Sequence, residues 1–146
     1  MKRILLLLLL ALSSAFAYAQ NYNLGKSKDG IDDLYIMSVT TSKATKTVTV
    51  IDRIKPVQGR LEDFREKAKN EAPKEVDKNE LSKLSFYKRK VQFNQPAKAY
   101  RVLEYSYFDL SGKLIQKVEI DEEDAKWLRL PKESLLEAEF NKVANI

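Results

Sequence analysis

The chain has 146 residues, 26 Lys and Arg against 21 Asp and Glu, a formal net charge of +5, and neither cysteine nor histidine. The missing types exclude Ser-His and Cys-His nucleophile pairs and His-ligated zinc. The small basic excess falls short of the clustered cationic footprint of a dedicated nucleic-acid binder, so no nucleic-acid partner is expected.

Lys2 and Arg3 precede an unbroken apolar run, Ile4 to Leu12, and Ala17-Tyr18-Ala19 fits the small-x-small rule of signal cleavage. Residues 1–19 therefore read as a cleaved signal peptide that leaves Gln20 first, with a second possible cut after Ala17. A spanning helix needs about 18 uncharged residues, more than this run supplies. Loss of Lys2 and Arg3 lowers the net charge from +5 to +3. With no thiol to lipidate, no membrane anchor is expected, and the product reads as periplasmic, cell-surface or secreted. Residues 20–146 suffice for one domain, which must rely on packing where small secreted domains often use disulfides.

Tyr22 and Leu24 alternate with polar residues over Asn21 to Ser27, and Lys28-Asp29-Gly30 supplies turn chemistry. Leu34 to Val39 reads as a strand with Tyr35, Met37 and Val39 on one face and Leu34 and Ile36 on the other, both faces open to cover. Lys46 to Ile54 places Val48, Val50 and Ile54 on one side, interrupted by Asp52, and Lys55-Pro56 ends it. Between Arg60 and Lys83 stand seven basic and seven acidic residues and few large apolar ones. Leu61, Phe64 and Ala68 fit one short helix ending near Pro73. The segment otherwise reads as a solvated, partly mobile excursion, with a partner-binding arm as the sharper alternative.

Leu84 to Phe93 has period two, with Tyr87, Arg89, Val91 and Phe93 against Phe86, Lys88, Lys90 and Gln92. After Asn94 to Lys98, Tyr100 to Phe108 gives a second strand, with Leu103, Tyr105 and Tyr107 on one side and Tyr100, Val102 and Phe108 on the other. Asp109-Leu110-Ser111-Gly112 suits a hairpin loop, and Leu114 to Ile120 returns. The run Asp121 to Asp124 is contiguous and lacks the alternation and glycine of a calcium loop, so it reads as a solvated turn. Trp127, Leu128 and Leu130 precede Pro131. Ser134 to Glu137 then matches a capping box ahead of Leu136, Phe140 and Val143, one face of a helix. The expected fold is α+β, an antiparallel sheet of about five to six strands with a C-terminal helix packed on it.

Taken in order, Gly25-Lys26-Ser27-Lys28-Asp29-Gly30, Val91-Gln92-Phe93, Tyr100-Arg101-Val102-Leu103, Gly112-Lys113, Trp127 and Pro131 through Ser134 to Val143 resemble the surface-adhesin protein E family of Gram-negative bacteria. The resemblance covers most of residues 20–146 and implies the same sheet-and-helix fold and an adhesin-like role. Relatives typically carry a cysteine after the segment like Val91 to Phe93 and another at the chain end. Gln95 and Ala144 stand near those places here, and the Arg60 to Lys83 segment is a further departure. No catalytic constellation or phosphate loop accompanies these motifs, and no cofactor or metal is expected. The functional expectation is an exported, non-catalytic interaction protein, with a periplasmic structural, envelope-stress or inhibitor protein as the alternative. Tyr87, Lys88, Arg89, Lys90, Arg101, Tyr105 and Tyr107 are the candidate partner-binding residues, since Tyr and Arg combine contact area with hydrogen bonding. The same tyrosines also suit a core. The expected partner is a protein or acidic glycan, and a free sheet edge would permit homodimerisation.

Overall fold

Alternating sequence becomes a meander in the computed structural model, which describes residues 22–144. The signal-peptide reading of residues 1–19 lies outside the described residues. Strands β1 (Tyr22–Lys26), β2 (Asp32–Ser42), β3 (Thr47–Pro56), β4 (Phe86–Asn94), β5 (Ala99–Phe108) and β6 (Leu114–Glu119) lie side by side in chain order. Every adjacent pair is antiparallel. A two-residue strand, β7 (Leu128–Arg129), pairs with Ala99 and Tyr100 and so shares the outer edge of β5 with β6. Helix α1 (Leu61–Glu71), a 3-10 helix (Lys78–Lys83) and helix α2 (Leu135–Val143) complete the described elements. The fold is α+β, as the alternation and the capping box predict.

Helices cover only one face of this sheet. Leu34, Ile36 and Val39 of β2, Val48, Val50 and Ile54 of β3, and Tyr87, Val91 and Phe93 of β4 are buried there. Phe64 and Ala68 of α1, Leu81 of the 3-10 helix, and Phe140 and Val143 of α2 join them in one cluster. Phe93 meets Phe140 edge-on at 5.7 Å and Phe64 stacks on Tyr87 at 5.8 Å, so each helix is pinned by a ring to the strand below.

Two bulges correct the facing assigned from strict alternation. At Met37 the β2–β3 register slips by one residue, which brings Val39 onto the face of Leu34 and Ile36, opposite Val50. At Leu103 the β4–β5 register slips likewise, so Val102 and Tyr100 oppose Val91 and Phe93 on the face that Tyr105 and Tyr107 already occupy. An extra residue reverses the side of everything beyond it.

The charged segment forms the expected short helix as α1 and is largely exposed, but it is packed on the sheet along its length. Phe64 and Ala68 on α1, and Val76, Leu81 and Leu84 after it, are all at most 5% exposed. Their spacing turns these apolar side chains inward, while Leu61, expected on the same helix face, is 37% exposed. The Asp109 loop folds as predicted: its Oδ1 accepts bonds from the Ser111 and Lys113 amides, and Gly112 takes φ +82°. At the start of α2 the Ser134 hydroxyl accepts from the Glu137 amide at 3.1 Å. The Glu137 carboxylate reaches one residue further back, to the Glu133 amide at 3.2 Å. Asp121 to Asp124 form an exposed turn.

Candidate functional site

The face without helices is where cations gather. Arg53 and Lys55 on β3 alternate with the buried Asp52 and Ile54, and Lys88 and Lys90 on β4 alternate with Tyr87 and Arg89. Arg53 stands directly opposite Lys88, and Lys90 opposite Ile51. Like charges directly opposite each other in a sheet cost stability. Rings below them offset part of that cost. The Arg53 guanidinium lies 4.3 Å from the Phe86 ring centre, the Lys88 ammonium 5.4 Å from Phe108, and the Lys55 ammonium 4.7 Å from Tyr35. Phe86 and Phe108 themselves stack at 4.9 Å across β4 and β5, which fixes the two rings under two cations.

Among the described residues none of Arg53, Lys55, Lys88 and Lys90 has a carboxylate within ion-pair distance, whereas the flanking Lys117 is held by Glu104 and Glu119. Asp33 faces Lys55 across β2 and β3 but accepts the Tyr35 hydroxyl instead. The Arg53 Nε is buried with no hydrogen-bond acceptor among the described residues. Chemically, this is a shallow, cation-rich, ring-backed surface suited to anionic groups on a large partner.

The seven residues singled out from sequence do not form one surface. Lys88, Lys90 and Arg101 lie on the open face, and Tyr87, Arg89, Tyr105 and Tyr107 on the covered one. Arg101 is largely engaged, donating to Gln92 at 2.8 Å and to the Glu122 carbonyl at 3.0 Å, with its guanidinium 4.3 Å from the Trp127 ring. Tyr107 is 1% exposed and serves the core. Tyr87, Arg89 and Tyr105 line a cleft between α1 and α2. The Arg89 side chain is 11% exposed and makes a two-bond pair with Asp52, Nε to Oδ1 at 3.1 Å and Nη2 to Oδ2 at 2.6 Å. As placed, Tyr107 is an internal support, which corrects its assignment as a contact residue, and Arg89 is held by Asp52 and reaches the surface only through the cleft.

Arg53 and Lys55 were missed from the sequence. Their signal is the same alternation that marks Val48, Val50 and Ile54, read on the other side of β3. Glu139 was also missed: it is wholly buried on α2, with its Oε2 3.7 Å from Arg89 Nη2. Burial, and then the nearby Asp52, push its carboxyl well above the usual range against the pull of Arg89. Comparisons of the chain with protein-family models, with curated proteins and with solved structures returned no match.

Proposed function

We propose that the chain is an exported, non-catalytic, adhesin-like binding protein that holds an anionic glycan at the bacterial envelope or host surface through the open face of its sheet. The observation that carries this reading is the cross-strand Arg53 and Lys88 pair, extended by Lys55 and Lys90, without carboxylate partners among the described residues. An arrangement that costs stability is accounted for by an anionic partner that supplies the missing charge. Export is supported by Lys2, Arg3, the Ile4 to Leu12 run and Ala17-Tyr18-Ala19, and the adhesin-like role by the resemblance to the surface-adhesin protein E family.

The test is binding of residues 20–146 to immobilised sulfated and uronate-rich polysaccharides, with a neutral polysaccharide as control. Combined Lys55→Ser, Lys88→Ser and Lys90→Ser substitutions should abolish most binding and leave the circular dichroism spectrum unchanged. Wild-type binding should weaken with added salt. Equal binding by the triple variant, or by the neutral polysaccharide, discards the patch. Protease shaving of intact cells checks location: a protein that resists shaving belongs to the periplasmic alternative.

A further inference from the structure

On the covered side of the sheet, α1 and α2 leave between them a cleft of about 720 Å³, within the range of about 300–1,000 Å³ common for small-ligand pockets. Its floor is apolar and aromatic, with Leu34, Ile54, Tyr100, Val102 and Tyr105, and Leu135 and Leu136 of α2 form one wall. The opposite wall is acidic. Lys67 and Glu71 stand one turn apart on α1, on the side that also carries Phe64 and Ala68. The Lys67 ammonium is 2.7 Å from Asp29 Oδ2 and 2.6 Å from Asp32 Oδ2, so one cation serves two carboxylates. Glu71 adds a third, with no ion pair among the described residues.

The other cations of the lining are already engaged. Lys28 is paired with Glu133 at the mouth, and Arg89 with Asp52 beneath the floor. The cleft therefore carries a surplus of negative charge in a chain of net positive charge. A second, independent observation marks it as a ligand site. Tyr87 is 5% exposed and lines the cleft, yet its hydroxyl has no hydrogen-bond partner among the described residues. That hydroxyl is not sealed off, so its unmet capacity can be reached from a space large enough to hold a ligand.

We propose that this cleft binds a small cationic amphiphile, a primary ammonium or guanidinium joined to an apolar ring or chain. The cationic head sits between Glu71 and Asp32, where it adds the positive charge that Lys67 alone does not supply and donates to the Tyr87 hydroxyl oxygen. The apolar part lies on Tyr100 and Tyr105 under Leu136, and the tyrosine rings also favour a nearby cation. Anionic molecules of the same size are repelled. This site lies on the opposite side of the sheet from the glycan surface and stands or falls separately from it.

The probe is 2-phenylethylammonium, titrated into the whole of residues 20–146 and followed by amide chemical shifts, with 2-phenylethanol and phenylacetate as neutral and anionic controls. Saturable shifts should cluster at Lys67, Glu71, Tyr87 and Tyr105. The neutral control should bind at least about fivefold more weakly, equivalent to roughly 1 kcal/mol, and the anion more weakly still. Glu71→Gln and Tyr87→Phe should each weaken the ammonium by a similar factor. Glu71 is exposed, so its variant keeps the fold even if the tyrosine change disturbs it. The proposal is overturned if no saturable shift occurs in the millimolar range, if shifts centre elsewhere, if either control binds as well, or if Glu71→Gln binds as tightly as wild type.

Discussion

Replacing Glu139 by Gln should make the protein more stable at neutral pH and leave its stability unaltered in acid. Arg89 offers one guanidinium to two carboxyls, and Asp52 takes both of its short bonds. Glu139, 0% exposed, is left with neither carboxyl oxygen in a hydrogen bond among the described residues. Burial and the adjacent Asp52 raise its pKa, so the folded protein keeps a proton there that the unfolded chain releases near its ordinary value of about 4.3. The folded state then binds more protons than the unfolded state, and stability falls as pH rises through that window, by about 1.4 kcal/mol per pH unit for a full proton. The fall ends once the folded group ionises. Glutamine has nearly the same shape and cannot titrate.

Urea midpoints for the two proteins should therefore coincide near pH 4 and separate as pH rises, the variant gaining up to about 1.4 kcal/mol for each pH unit over which the folded carboxyl keeps its proton. Titrating groups remote from Glu139 act equally on both proteins and cancel in the difference. Parallel curves from pH 4 to pH 9, or a gap that closes as pH rises, would refute the reasoning.

Arg89→Met strands the wholly buried Asp52 and should cost about 3–5 kcal/mol in thermal or urea unfolding, with much of the loss recovered when Asp52→Asn is added. Phe64→Ala removes the ring that seats α1 on Tyr87 and should cost about 3–5 kcal/mol; the same change should speed proteolysis between residues 60 and 84, and an unchanged cleavage rate would show that α1 is not anchored there. At Asp29, burial pushes the carboxyl up, but hydrogen bonds from Lys67 and Ser27 prevail and hold its pKa at about 2. Its stabilising contribution is present above its ordinary value of 3.8 and is lost as pH falls towards 2, so Asp29→Asn should flatten the acid limb of the stability profile in that interval.

Strand placement was legible because Val48, Val50 and Ile54, and Tyr87, Val91 and Phe93, alternate cleanly with polar residues. The two bulges were not legible. Met37 and Leu103 are ordinary strand residues, and what ejects them from register is the pairing of β2 with β3 and of β4 with β5. The charged segment misled because composition averages over all sides of an element, while its core contribution comes from four inward residues, Phe64, Ala68, Val76 and Leu81. The seven candidate residues drew on both faces of the sheet. Alternation separated Lys88 and Lys90 from Tyr87 and Arg89. What it lacked was the knowledge that α1 and α2 both settle on one side. Glu139 follows the same logic, for an acid on an amphipathic helix reads as a solvent contact until Asp52 and Arg89 are found beneath it.

The one-sided seating of both helices gives the molecule a front and a back. Were the protein to rest by Lys55, Lys88 and Lys90 on a charged layer, as proposed, its cleft would turn outward, towards the surrounding fluid, because the helices that frame it lie on the opposite face of the sheet. Occupying one side leaves the entrance to the other unobstructed. Attachment would thus act as an orienting step, setting every molecule in the layer with Glu71 and Tyr87 facing the same way.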